Sequence, residues 1–599
     1  QIYSNLRVTQ NLDMLTKGLK LTAMYAFDVY NEIHVHQDRA ESTYNFLDTS
    51  VPYDMNGQPI LQRIYEGSNV LSYTQETSGN KKTYLEASLN YDRTFNDDHR
   101  VSALFLFNQQ SKLLYPKGTL EDAIPYRMMG IAGRATYSWK DRYFAEFNIG
   151  YNGAENFSPK HRFGTFPAFG VGWVVSNEKF WQPLSKAVSF LKIRYTDGKV
   201  GNSEVSDRRF MYLDQMKENG DYGYKFGPNG TKWSGYETVN MAVDLIWEES
   251  RKQDLGIDLK LFNDDLSIVF DLFKERRENI LLKREHSIPS FLGYNTSAPY
   301  GNIGIIENKG FDGTIEYNKR INKDWVIALR GNVTFNKDKW IQGELPEQKY
   351  EWMNQYGHNI NGVKGYVAEG LFTQAEIDDM ARWESLSDAN KAITPKPFAS
   401  QFGTVKAGDI KYKDLNNDGQ IDAYDQTYIS RGDVPTTVYG FGFTVGWKDL
   451  SVGMMFQGVA GAERVLNGSS VNPFNGGGGS GNLYSNIGDR WTEENPDQNA
   501  FYPRLSYGSE TTSNINNFQK STWWVRNMNF LRLKTLQISY NLPKPWVNKV
   551  HLKNAAVYVM GTNLFTLSRF KLWDPELNTD NGASYPNTTS YSVGINFTF

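Results

Sequence analysis

Apolar and polar residues alternate with a two-residue period over most of this 599-residue chain. In TVYGFGFTVGW, Tyr439, Phe441, Phe443, Val445 and Trp447 share one face, while Val438, Gly440, Gly442, Thr444 and Gly446 share the other. In WVIALRGNVTF, Trp325, Ile327, Leu329, Val333 and Phe335 oppose Arg330, Asn332 and Thr334. YFAEFNIGY sets Tyr143, Ala145, Phe147, Ile149 and Tyr151 against Glu146, Asn148 and Gly150. DLGIDLKLF sets Leu255, Ile257, Leu259 and Leu261 against Asp254, Asp258 and Lys260. Successive side chains of an extended strand point to opposite faces, so each segment reads as a β-strand. About 17 such segments occur, most near the 9–11 residues of a tilted membrane-crossing strand.

A soluble sandwich alternates in the same way. The connections separate the two. Short ones, NDDH (96–99), KD (140–141), NDD (263–265), NKD (322–324) and KDL (448–450), alternate with long ones near 30–80, 201–246, 283–307, 338–435 and 459–525. NEKFWQPLSKAVS and PKPWVNKVHLKN are longer members of the short side. Turns at one end and long loops at the other predict an all-β fold, a transmembrane antiparallel barrel. Residues 1–599 then form one barrel domain, with the short turns periplasmic and 338–435 a long extracellular loop. The pattern places Phe441, Phe443, Val445, Ile595 and Phe597 toward lipid, and Glu146, Arg330, Asn332 and Asn596 toward the lumen. An Arg or Lys on the lipid face at mid-bilayer costs roughly 2–4 kcal/mol. Trp139 and Trp447 beside short turns, and Trp340 beside a long loop, are candidates for the two interfacial aromatic girdles.

The last ten residues, SYSVGINFTF, are themselves a strand ending on Phe599. The expectation is that the barrel closes there, because an open edge in lipid leaves backbone groups unsatisfied. The first ten, QIYSNLRVTQ, have neither the basic start nor the apolar core of a signal peptide and already read as strand.

Composition narrows the function classes. Aromatics make up 14%, with 52 Gly and 36 Tyr, which suits β structure. Mean hydropathy is -0.56, and no apolar run approaches the roughly 20 residues of a spanning helix. A net charge of -3 supplies no basic field for nucleic acid. Zero Cys excludes disulfides and thiol chemistry, and 7 His leave little for zinc or nucleophilic catalysis. No enzyme is expected.

The sharpest motif is DLNNDGQIDAYD. Asp414, Asn416, Asp418, Gln420, Asp422 and Asp425 fall at positions 1, 3, 5, 7, 9 and 12 of an EF-hand-like loop spanning 414–425, with Gly419 at the sharp turn. Hard oxygen donors at this spacing suit a structural Ca²⁺, with Gln420 contributing its carbonyl. Position 12 is Asp, as in dockerin-type loops. His34 and His36 share a strand face without a third ligand. RGD (431–433) reads as a turn, and GGGGSG (476–481) as a loop tip rather than a phosphate loop.

Several strings resemble the SusC-like (RagA-like) family of TonB-dependent outer-membrane transporters. They are HRFGTFPAFGVGW (161–173), LKIRYTDGKVGN (191–202), NIGIIENKGFDGTIEY (302–317), GYVAEGLF (365–372), GDIKYKDLNNDGQIDAYDQT (408–427), RWTEENPD (490–497), FLRLKTLQISYNLP (530–543) and GTNLFTLSRFKLWDPE (561–576), in the family's order. The resemblance implies an outer-membrane barrel of 22 strands with a plugged lumen. About 17 strands counted back from Phe599 leave about five, together with the plug and the TonB-contacting segment, outside this sequence. It also implies active import of oligosaccharides or peptides, a SusD-like lipoprotein over the long loops, and energy from the TonB complex. Trp340, Trp352 and Tyr356 are then candidate substrate contacts. A passive porin and a secreted glycan-binding adhesin are the rival readings.

Overall fold

Seventeen strands form one antiparallel sheet in the computed structural model. It describes residues 1–47, 51–115, 123–204, 209–228, 230–289, 291, 298–468, 471, 473–474, 484–506 and 515–599. In chain order the strands are β1 (Ile2–Asn11), β2 (Leu19–His36), β3 (Thr74–Phe95), β4 (His99–Tyr115), β5 (Tyr126–Trp139), β6 (Tyr143–Ala154), β7 (Phe163–Val174), β8 (Val188–Asn202) and β9 (Glu248–Leu261). Then follow β10 (Leu266–Lys283), β11 (Tyr300–Arg320), β12 (Trp325–Gln342), β13 (Thr437–Trp447), β14 (Leu450–Ala460), β15 (Phe530–Asn541), β16 (Asn554–Ser568) and β17 (Ser590–Thr598). Each pairs with its neighbour in sequence, so the sheet is a meander. Among the described residues no helix is long and apolar enough to cross a membrane.

The short connections fall on one end and the long ones on the other, as the spacing predicts. At the short end the chain reverses through consecutive residues with positive φ: Asn96 and Asp97, Lys140 and Asp141, Asn263 and Asp264. Asn and Asp tolerate this left-handed region, which the hairpin twist requires. The two longer members hold a 3₁₀ segment, Lys179–Leu184, and a short helix, Lys544–Lys549.

Register carries one apolar face across the sheet. Leu255 pairs with Leu272, Leu272 with Phe311, and Phe311 with Phe335. Leu329 pairs with Phe443, and Val557 with Ile595. The opposite face carries Arg134, Glu146, Arg194, Asp271, Asp312, Glu316 and Arg330. Phe441, Ile595 and Phe597 are exposed on the apolar face, which is what a lipid-facing surface requires. At its short-turn edge stand Trp139, Tyr143 and Trp173, with ring centroids 5.7 and 6.4 Å apart, and the pair Trp325 and Trp447 at 6.1 Å. They form one girdle. Trp340 does not join a second: it shares its parity on β12 with Arg330 and Asn332, so it points away from lipid.

One further expectation is corrected. Many strands exceed the predicted length; β3 has 22 residues and β11 has 21. Their loop-side ends continue the ladder with polar residues, so the first long connection starts only after His36. The ladder is open at both ends, as an odd number of strands in one chain requires. Among the described residues, β17 pairs only with β16 and β1 only with β2. In an antiparallel meander of 17 strands the first and last run in the same direction, so they cannot form an antiparallel pair.

Candidate functional site

The largest apolar core of the described residues lies outside the wall, among the long connections. Tyr366, Leu371, Ile410, Tyr412 and Ile421 from the 343–436 connection pack with Leu466, Val471, Trp491, Tyr502 and Trp524 from 461–529, and with Phe570 from 569–589. Short strand pairs brace them: Val363–Gly365 with Thr427–Ser430, Ala368–Leu371 with Ile410–Tyr412, and Glu463–Val465 with Val525–Asn527. These connections therefore form a folded assembly at the loop end.

A buried polar network joins its halves. Arg504 donates to Asp409 from Nε at 3.0 Å and from its terminal nitrogen at 3.1 Å. Asn517 donates to the same carboxylate at 3.0 Å and accepts from the Ile410 N–H at 2.8 Å. Asn516 donates to the Ile410 carbonyl at 2.7 Å, and Tyr412 donates back to the Asn516 carbonyl at 2.7 Å. Burial drives the Tyr412 hydroxyl well above its ordinary pKa, and that of Tyr502 up to about 12. Both stay protonated at neutral pH and act only as neutral partners.

Among the described residues the segment holds two helices the alternation pattern missed, the four-residue Asp388–Lys391 and the longer α1 (Gln374–Glu384). Its sequence signal was the Thr373-x-x-Glu376 capping box: Thr373 Oγ1 accepts from the Glu376 N–H at 3.3 Å, and Glu376 accepts from the Thr373 N–H at 2.8 Å.

The 414–425 loop folds as a run of side-chain-closed turns. Asp414 accepts from the Gly419 N–H at 2.8 Å, Asn416 from the Asp418 N–H at 3.0 Å, and Asp418 from the Gln420 N–H at 2.9 Å. Asn417 and Gly419 have positive φ, 58° and 82°, which makes the sharp reversal. Asp425 is fully buried and accepts from the Leu415 and Asp422 N–H groups at 2.8 and 2.9 Å. Asp422 caps the following 3₁₀ turn by accepting from the Tyr424 N–H at 2.7 Å. Asp422 and Asp425 thus have a structural task that the metal-loop spacing did not reveal. The donors are all oxygens, as Ca²⁺ prefers, but among the described residues no three acidic or imidazole side chains converge on one point.

The three aromatic candidates separate. Trp340 is half-buried on the lumenal parity, with its indole N–H enclosed and lacking a hydrogen-bond partner among the described residues. Tyr356 is half-buried and donates to the Leu345 carbonyl. Trp352 stacks on Tyr350, with centroids 4.6 Å apart and planes 6° off parallel, and donates to the Tyr424 carbonyl at 2.8 Å. Tyr424 meets Tyr350 edge-on at 5.9 Å, and the Lys349 ammonium lies 4.6 Å from the Tyr424 ring centre. Trp352 therefore belongs to an aromatic platform built against the 414–425 loop, whose other members, Tyr350 and Tyr424, the sequence reading did not select. Beside it, His358 stacks on Tyr428 at 4.1 Å. Burial, and then the Lys364 charge, hold His358 below its ordinary pKa.

Below the assembly, the inner face carries paired charges. Arg194 reaches Asp271 at 2.6 Å, Asp254 at 3.2 Å and Asp258 at 3.6 Å; Arg134 reaches Glu146 at 2.9 Å, and Arg330 reaches Glu316 at 2.6 Å. This lining is hydrophilic, and on it the Ser250 hydroxyl donates to Glu275 at 2.6 Å. The remaining motifs are absorbed locally. RGD is a turn with Gly432 at φ 93°, and Asp433 pairs with Arg464 at 3.1 Å. His34 pairs with Glu32 at 2.9 Å and stacks on His36. GGGGSG lies outside the described residues.

No family model matches the chain. It is similar to TonB-dependent receptor P3 of Formosa agariphila, 25% identical over 501 residues, covering 79% of this chain and 45% of that protein. TonB-dependent receptor P26 of the same organism is 25% identical over 584 residues, covering 90% and 55%. TonB-dependent receptor SusC of Bacteroides thetaiotaomicron is 23% identical over 483 residues, covering 78% and 43%. The chain thus spans about half the length of these curated relatives. Among solved structures, the RagAB peptide transporter superposes with a TM-score of 0.72 at 19% identity, over 100% of this chain and 62% of that one.

Proposed function

We propose that this chain is the barrel part of a SusC-like TonB-dependent receptor of the outer membrane and that it serves active import of nutrient oligomers. The observation that carries this reading is the folded loop assembly over a hydrophilic barrel wall. A passive pore needs only the wall; 343–436 and 461–529 build instead a buried core and an aromatic platform at one end. The substrates are oligosaccharides or peptides, the second being what the RagAB structure is named for. Both present flat or apolar surfaces that suit stacking on Trp352 and Tyr350. The loop end is extracellular, and a SusD-like lipoprotein docks on it. Drive comes from the TonB complex, through parts of the protein other than the wall described above.

The 414–425 loop takes a Ca²⁺ held by Asp414, Asn416, Asp418, the Gln420 carbonyl and Asp422, with Asp425 closing the loop. The ion would supply structural order to the platform and no reaction chemistry.

The test is uptake by intact cells of labelled oligosaccharide and oligopeptide pools, with the gene deleted or complemented and with the proton gradient collapsed. Gene-dependent, gradient-dependent uptake of one pool is expected. Uptake that survives collapse of the gradient would mean a passive pore.

A further inference from the structure

The outer face of β8–β12 turns from apolar to basic in one register step. Its last apolar row is Tyr195, Leu255, Leu272, Phe311 and Phe335. Two residues farther toward the long loops the row reads Asp197, Gln253, Lys274, Lys309 and Lys337. The row after that reads Lys199, Arg251, Arg276, Glu307 and Lys339. Lys274, Lys309 and Lys337 thus stand directly opposite one another on adjacent strands. Like charges in that position repel, and strands are only about 4.8 Å apart.

Acids on this face offset part of the charge. Asp197 pairs with Arg251 at 2.6 Å, Glu249 with Lys199 at 2.8 Å, and Glu278 with Arg276 at 2.6 Å. Glu307 is shared between Lys274 at 3.3 Å and Lys339 at 3.5 Å. Lys309 and Lys337 are exposed, and neither has an ion-pair partner among the described residues. The basic face is also local. β13 begins at Thr437, opposite Phe335 in the last apolar row, so the ladder carries the basic rows no farther than β12.

We propose that this row binds the phosphate-bearing headgroups of lipids in the leaflet on the long-loop side. Two residues of strand advance about 7 Å beyond the last apolar row, on the order of one headgroup layer. Hydrocarbon covers the row beneath, so the groups that meet the lysines are the headgroups of the same lipids. Lysine stems lie along apolar surface while their ammonium ions reach polar ground. An anionic phosphate between neighbouring lysines relieves their repulsion. The inference rests on the membrane-barrel reading and is independent of what is imported.

The test uses the full chain, purified in detergent and titrated with lipid A, with enzymatically dephosphorylated lipid A, and with inorganic phosphate, bound lipid being counted by native mass spectrometry. Wild type should bind lipid A in preference to its dephosphorylated form. The variant Lys274→Gln/Lys309→Gln/Lys337→Gln should bind it about a hundredfold more weakly, and Lys17→Gln, in a short turn, should match wild type. Heat-dependent gel migration reports barrel folding. If the triple variant does not fold, Lys309→Gln alone should weaken binding about fivefold. Equal binding of the dephosphorylated lipid, unchanged binding by the lysine variants, or displacement by equimolar inorganic phosphate would each overturn the proposal. None of these readouts involves transport, so they stand apart from any failure of the import reading.

Discussion

Arg504 grips Asp409 through two N–H···O bonds of 3.0 and 3.1 Å, and so ties together two loops that are separated by β13 and β14 in sequence. Asp409 is 1% exposed, so removing the arginine takes the offsetting positive charge from a buried carboxylate. Arg504→Gln should cost the loop assembly about 3 kcal/mol. Limited proteolysis should show 343–436 and 461–529 cut sooner, while heat-dependent migration of the barrel stays the same. An unchanged cleavage pattern would show that the pair is not what holds the loops.

The two faces of β12 and β13 make a sharp contrast for labelling. Cysteine at Asn332 should react with a water-soluble maleimide in membranes, and cysteine at Phe443, on the opposite parity, should not. The reverse order of reactivity would invert the barrel face assignment.

The 414–425 loop should bind Ca²⁺ with a Kd on the order of 10⁻⁴ to 10⁻³ M, as extracellular modules do. Millimolar Ca²⁺ should slow proteolysis of 343–436, and a chelator should restore it. Asp414→Ala and Asp418→Ala should abolish the protection, and Mg²⁺ should substitute poorly. Protection that persists in chelator would argue that the hydrogen-bonded turns suffice by themselves.

His358 makes the loop assembly sensitive to acid. Its folded pKa lies below the unfolded value, chiefly because it is buried and then because Lys364 is near. The folded state therefore binds fewer protons than the unfolded one between the two values. Its stabilising contribution is complete above the unfolded pKa and declines as pH falls through the folded one. Loop melting followed by tryptophan fluorescence should drop on the acid side of about pH 6.5. His358→Phe, which keeps the stack on Tyr428, should flatten that decline. An identical acid profile in the variant would place the sensitivity elsewhere.

Trp352→Ala should weaken binding of the imported oligomer roughly five- to tenfold, from about 1–1.5 kcal/mol of lost stacking. Calorimetry with the purified protein measures it. Trp340→Phe should change affinity far less, because its indole is enclosed. Equal losses at both positions would shift the contact from the platform to the lumen.

The wall was legible in the sequence because one face of every strand meets lipid and the other meets water. The period of Tyr439 to Trp447 or of Tyr143 to Tyr151 is therefore written out residue by residue. The loop assembly was not. Its partners are joined by contacts such as Asn516 with Ile410 that leave no periodic trace. Spacing made Asp414 to Asp425 visible as oxygen donors, yet it did not show that Asp425 is buried against the Leu415 and Asp422 amides. Nearness to a strand end suggests Trp340 for a girdle but says nothing about parity; counting from Trp325 puts it on the other face. Trp352 is visible as an aromatic in a long loop, but its stack on Tyr350 and the edge-on contact of Tyr350 with Tyr424 join the two ends of that loop and are tertiary facts.

The position of the main apolar core has a bearing on biogenesis. The residues that build it come from connections that begin at the ends of β12, β14 and β16. Each contributes a surface that is unburied alone. They meet only after β12 to β16 have been laid side by side, because the intervening hairpins fix the distance between their roots. Closing such widely separated contacts before that point costs chain entropy with no return. The wall is therefore the template and the loop assembly is its late product. A partner that recognises the assembled loops would select barrels whose insertion is already finished.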